Sequence, residues 1–176
     1  MARYARGSNQ YRTRLSHAAP PKLRKPSFWR TWQRRARVAE LRRLANNPTL
    51  RVLAASDLDC PPELLARLAH DEQENIRYEV ARHPRCPTDT LIGLAKDNNW
   101  LVRGSVAEHP NCPPQTLQML AADPKIAVRS QVAQHPRCPP ELLIVMLGDS
   151  DPRVRWWAAQ HRSMPEEYRM LGQISQ

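Results

Sequence analysis

The sequence predicts an all-α protein, a solenoid of about five 26-residue helical repeats with a basic N-terminal extension. Three observations predict it. Cys60, Cys86, Cys112 and Cys138 recur every 26 residues, a fixed period in the range that marks stacked repeats. Other columns keep the same step: Asp71…Arg77 returns as Asp97…Arg103, Asp123…Arg129 and Asp149…Arg155, and Val80-Ala81 returns as Val106-Ala107 and Val132-Ala133. No segment alternates apolar and polar residues with period two, so no strand is expected.

From the N-terminus, residues 1 to 27 contain no acid and little apolar surface, and Pro20, Pro21 and Pro26 prevent a continuous helix. Such an arm cannot bury enough surface to order itself and is expected to be disordered when free. A helix is predicted from near Ser27, a good N-cap residue, to about Asn46. At about 100° per residue, Phe28, Trp29, Trp32, Ala36 and Ala39 share one side, and Arg30, Arg34 and Arg37 form a stripe on the other. The expected arrangement has the aromatics inward as a cap on the first repeat and the arginines outward. Leu41, Leu44 and Ala45 match Leu65, Leu68 and Ala69, so the end of this helix reads as a truncated first repeat. The chain thus divides into a basic arm over 1–27, a basic amphipathic capping helix over 28–50 and a repeat solenoid over 51–176.

Each repeat should hold two helices. Pro139-Pro140 followed by Glu141 suits a helix start, because proline lacks an amide that the first turn leaves unpaired and the acid favours the positive end of the helix dipole. That helix would bury Leu142, Leu143 and Met146, a polar turn over Asp149 to Pro152 would end it, and a second helix from about Val154 would carry Ala158 and Ala159. In the preceding repeat the second helix should stop at His135, since Pro136 disfavours helical geometry in the residue before it. A degenerate fifth copy starts at Arg155 and keeps Ala158-Ala159, His161 and Pro165.

The run from Val128-Arg129 through Val132-Ala133, His135-Pro136 and Cys138-Pro139-Pro140-Glu141-Leu142-Leu143 to Asp149, with partial copies in the two repeats before it, resembles the leucine-rich repeat variant family. The resemblance covers about residues 51 to 165 and implies a right-handed solenoid of alternating α and short 3₁₀-type helices. Some members carry a cysteine-rich iron–sulfur module at the N-terminus, whereas residues 1 to 59 here contain no cysteine. The Asp and Arg six residues apart are also similar to HEAT repeats.

The repeated His-Pro-x-Cys invites a metal reading, which the geometry disfavours. Stacked helices lie about 8–10 Å apart, whereas zinc needs its sulfurs at about 2.3 Å and a disulfide needs Cα atoms within about 7 Å. The first repeat has Asp57 in place of the histidine and the last has Met164 in place of the cysteine. Buried Cys as a small hydrophobe, with His closing the short helix, is the expected role, and no metal or cofactor is expected. The Arg column 77, 103, 129, 155 could bind phosphates, but constant partnering with Asp71, Asp97, Asp123 and Asp149 favours an internal ladder. Trp156 and Trp157 occupy slots, expected to face solvent, held elsewhere by Tyr78-Glu79, Gly104-Ser105 and Ser130-Gln131. They are expected to cap the last repeat under the final helix with Tyr168 and Met170, the alternative being a protein-binding hot spot.

Charge is unevenly divided. Residues 1 to 50 hold 13 of the 27 Lys and Arg and one acid, Glu40, a net of +12, while residues 51 to 176 carry −2. Arg3, Arg6, Arg12, Arg14, Lys22, Arg24 and Lys25 are interleaved with Tyr4 and Tyr11, and the helix adds Arg30, Arg34, Arg35, Arg37, Arg42 and Arg43. Guanidiniums pair phosphates and stack, and aromatic rings meet unpaired bases. The expected function is non-enzymatic binding of structured RNA, ribosomal RNA included and favoured over DNA, with the solenoid as scaffold. The alternatives are a protein scaffold whose basic arm docks on an acidic partner, and a HEAT-like DNA-binding or DNA-repair protein. A solubilising tail and a transit peptide are the other readings of the arm, although the basic run continues into the helix. No Gly-rich phosphate loop or nucleophile elbow is present, and no apolar run approaches the roughly 18 residues of a membrane span. One isolated cysteine per repeat suits a reducing compartment, so a cytoplasmic monomer is expected.

Overall fold

The computed structural model describes residues 27–169, with side chains from residue 33 onward. All secondary structure among the described residues is helical: α1 (Ser27–Asn46), α2 (Arg51–Ser56), α3 (Pro62–Leu68), α4 (Glu74–Arg82), α5 (Thr88–Leu94), α6 (Trp100–Glu108), α7 (Pro114–Leu120), α8 (Ile126–Gln134), α9 (Pro140–Met146), α10 (Pro152–Gln160) and α11 (Glu166–Arg169). The even-numbered helices α2 to α10 stack directly on one another in chain order, and α3, α5, α7 and α9 lie against that layer. This is a helical-repeat solenoid.

Prolines set the odd helices. Pro61, Pro113 and Pro139 precede the first turn in extended geometry, and Pro62, Pro114 and Pro140 open it. At the far end of α4, α6 and α8, His83, His109 and His135 each precede a proline and are extended, with φ near −70° and ψ near 126°, the geometry that a following proline favours. α10 begins at Pro152, two residues before the expected Val154. The short 3₁₀-type helices that the resemblance implies are nine-residue α-helices instead. Tight three-residue bonds are found at the connections, such as Cys86 N donating to His83 O at 2.9 Å.

Between the layers runs one apolar core. Leu65, Leu91, Leu117 and Leu143 from the odd helices meet Val80, Val106 and Val132 from the even ones, all fully buried. Leu41 and Ala45 of α1 join this core as Leu65 and Ala69 do. At the other end Met164 is buried in the cysteine column, and Tyr168 of α11 packs against the core.

Two polar ladders pin the stack. The Arg77 guanidinium donates from Nε and Nη2 to the Asp97 carboxylate, at 2.6 and 3.0 Å, and from Nη1 to the carbonyls of Asp71 and Glu72, at 2.8 and 3.0 Å. Asp97 Oδ1 also accepts from Asn99 N at 2.8 Å, turning the chain into α6. Arg103 with Asp123 and Arg129 with Asp149 repeat the arrangement. Each arginine thus takes backbone carbonyls from its own repeat and a carboxylate from the next. Asn47 stands at the head of this column: its Oδ1 accepts from Thr49 N at 3.0 Å, as Asp71 Oδ1 does from Gln73 N.

The second ladder runs through the histidines. Nε2 of His83, His109, His135 and His161 lies 2.9–3.1 Å from the carbonyl oxygen of Asp57, His83, His109 and His135 in turn. Each Nδ1 accepts the amide of the residue two places on. An Nδ1 that accepts carries no proton, so the ring is neutral and Nε2–H is the donor to the preceding repeat.

Burial depresses the pKa of His135 and His161, partly opposed by the carbonyl bond. Burial alone would raise the Asp97 and Asp123 carboxyls, but the guanidinium and backbone amide bonds outweigh it and hold both below the usual range. At Asp149 the Arg129 bond is the larger influence, in the same direction. All five groups bind protons less readily folded than unfolded, so their stabilisation is complete above the unfolded values and is lost as pH falls. Denaturant titrations at a series of pH values should therefore show stability declining below about pH 6.5 as the unfolded histidines charge, and again below about pH 4 as the carboxylates protonate. Arg103→Ala leaves the Asp123 side chain, 4% exposed, charged without its partner. It should cost about 3–5 kcal/mol in the same assay, and the double variant Arg103→Met/Asp123→Asn should cost distinctly less.

Candidate nucleic-acid interface

Two groups of arginines stand in contrast. Arg77, Arg103 and Arg129 are spent in the ladder, side chains 12–17% exposed. On α1, by contrast, Arg34, Arg35, Arg42 and Arg43 are exposed and form no ion pair or hydrogen bond with any described residue. Arg34, Arg35 and Arg42 flank a shallow groove floored by Val38 and Ala39, so three guanidiniums surround a face with little side-chain bulk. Arg3, Arg6, Arg12, Arg14, Lys22, Arg24 and Lys25, and the side chain of Arg30, lie outside the described residues.

α1 is turned differently from the sequence expectation. Ala36 and Ala39 are exposed, whereas Leu41 and Ala45 are buried; these two lie on the side of the helix that carries Arg34 and Arg37. Arg37 accordingly faces the first repeat and forms an ion pair with Asp57. The cause is leverage by the C-terminal half: Leu41, Leu44 and Ala45 dock on the first repeat, and their side of the helix decides which way its N-terminal half looks. The side chains of Phe28, Trp29 and Trp32 lie outside the described residues. Arg37 therefore already has an intramolecular partner, unlike its neighbours.

The His-Pro-x-Cys column has structural work. Burial pushes the Cys60 and Cys112 thiols up to about 11 and those of Cys86 and Cys138 to about 12, so none is a thiolate near neutral pH. The Cys60, Cys86 and Cys112 sulfurs lie 3.8–4.0 Å from the carbonyl of the following proline, within range of a weak bond, and both histidine nitrogens are taken by backbone.

Trp156 and Trp157 depart from expectation. They are 44% and 37% exposed and meet edge to face, ring centroids 4.6 Å apart; Met164 and Tyr168 close the core instead, and Met170 lies outside the described residues. The equivalent slots on earlier helices are not all solvent-facing either. Ser105 is buried, its hydroxyl donating to Leu101 O at 2.9 Å, and the Gln131 side chain of the next helix lies over Gly104. Those slots are covered by the following even helix, and α10 is the last even helix among the described residues.

Residues 100–125, one full period, match the leucine rich repeat variant family. This repeat is thus similar to the family suggested by the sequence pattern, and the fold around it is a helical-repeat solenoid. No curated protein matches the chain. Among the described residues no helix is long and apolar enough to cross a membrane.

The buried, protonated cysteines give a direct test. A disulfide-exchange thiol reagent at pH 7.5 should leave all four thiols unmodified on a timescale that titrates them fully in denaturant, because attack requires the thiolate. Rapid colour development from the native protein would contradict the buried placement.

Proposed function

We propose that this protein binds folded RNA, ribosomal RNA included, through the exposed arginines of α1 together with the basic arm that leads into it, and that the repeats serve as a rigid scaffold for that interaction. The observation that carries this reading is the contrast within one residue type. The ladder arginines are each committed to a carboxylate, while Arg34, Arg35, Arg42 and Arg43 are exposed without a partner among the described residues. A phosphate backbone supplies the anions they lack. The arm supports RNA over duplex DNA, since Tyr4 and Tyr11 among its arginines suit unpaired bases. An acidic protein partner is the second reading, favoured by the repeat fold itself.

Affinity for an RNA hairpin should fall linearly on a log–log plot against salt. Replacing Arg34, Arg35, Arg42 and Arg43 with Gln should flatten that line by about 0.7–0.9 for each phosphate that is no longer neutralised, whatever the hairpin sequence, and leave the melting temperature unchanged. Affinity that survives this substitution but collapses in a folded Arg103/Arg129 variant would move the binding surface to the repeats. Affinity for an acidic protein but for no RNA would establish the second reading.

A further inference from the structure

We propose that the open cleft between the C-terminal ends of α8 and α10 is a stacking site for one unpaired nucleobase of the bound RNA, an inference that rests on the RNA-binding reading above. The cleft measures about 350 Å³ and is lined by Trp157, Gln134, Gln160, Pro136 and Arg162, with Ala133 and His161 behind them. Its size is at the lower end of small-ligand sites.

Each wall offers something that a base or its phosphate uses. The edge-to-face packing of Trp156 and Trp157 can cover one face of only one indole, so Trp157 keeps at least one face clear of its neighbour. Every base has a π-face, and stacking on an aromatic ring is a major source of single-strand affinity. Gln134 Nε2 donates to Ser130 O at 3.0 Å, which leaves its Oε1 open. The Gln160 side chain has no hydrogen-bond partner among the described residues and is exposed. Carboxamides present one acceptor and one two-hydrogen donor, the groups that pair with base edges.

Charge selects the same ligand. Arg162 Nη2 donates to Pro136 O at 3.2 Å, and one repeat earlier Arg137 Nη1 donates to Pro110 O at 3.3 Å. These exposed guanidiniums are thereby held along one edge of the stack. No carboxylate lines the cleft, and both nitrogens of His161 are engaged with backbone. The preceding junction has Gln131 where this one has Trp157, and Glu108 where this one has Gln134. There Gln131 Nε2 donates to Glu108 Oε1 at 2.7 Å, so the amide's donor is already taken by a carboxylate. An aromatic face with open amides and a cation occurs at the α8–α10 junction, and a planar, anionic ligand fits it better than an apolar peptide does.

The test uses the full chain and two RNA hairpins, one blunt and one with a single-stranded 3′ oligouridine tail. The wild type should bind the tailed hairpin more tightly. Trp157→Ala should abolish the difference, a drop of about tenfold, without altering blunt-hairpin affinity, the salt slope or the melting temperature. Trp157→Phe should retain most of it, and Arg162→Gln should lose part. A folded Trp157→Ala protein that keeps the tail preference, or that loses both hairpins equally, overturns the stacking site and leaves the α1 reading intact. Wild-type protein that binds neither hairpin overturns both. Displacement of the tail by a decaproline peptide would also overturn it, reassigning the cleft to a polyproline segment.

Discussion

The bidentate bond from the arginine of one repeat to the aspartate of the next is the constraint on which the rest of the stack depends. Its guanidinium is oriented by two carbonyls of its own repeat before it meets the neighbouring carboxylate. Because that carboxylate also accepts the amide that starts the next even helix, one rung fixes both the distance between repeats and the entry angle of the chain. The histidine bond fixes the opposite end of the same helix. Hydrophobic burial is non-directional and supplies most of the driving force; the two rungs decide how the apolar faces meet.

That division of labour shapes the electrostatics. A net charge of +10 suggests a basic protein, yet residues 51–176 carry −2, and there Arg51, Arg77, Arg103 and Arg129 are committed to aspartates of the stack. Among the described residues, the densest run of exposed arginines without a carboxylate partner is on α1. Charge available for binding therefore differs from charge counted, and the ladder makes the difference.

Much of this is legible in the sequence, since the helices, their proline starts and the buried Leu, Val and Cys columns follow from a pattern repeated at a fixed step. The ladder is legible as a partnership but not in direction: in a 26-residue period an arginine six residues after one aspartate is twenty before the next, and spacing alone cannot choose between them. The histidine ladder is hidden because its acceptors are backbone carbonyls, which every residue has. The orientation of α1 misleads because three aromatics and two alanines make a more conspicuous face than Leu41 and Ala45, although of the described side chains it is the latter that reach the repeat. Trp156 and Trp157 mislead for a related reason. Sequence shows that two indoles end the array, but whether a slot is covered depends on the helix that follows it. In the candidate interface, exposure of Arg34, Arg35, Arg42 and Arg43 agrees with the pattern, whereas the ion pair of Arg37 requires the orientation of α1.

Asn47 gives the array a polarity. It makes the same chain-turning bond as the aspartates below it, but an amide carries no charge, and among the described residues no arginine of a preceding repeat stands ready to neutralise one. Every interior unit is zwitterionic at its junctions, offering a carboxylate backward and a guanidinium forward, so a duplicated unit can be spliced between two others without upsetting the charge balance of either. The head of the array is closed to such growth: a unit added ahead of Asn47 would present its arginine to a neutral amide. The stack is in this sense a polymer with a terminated end, extensible from within.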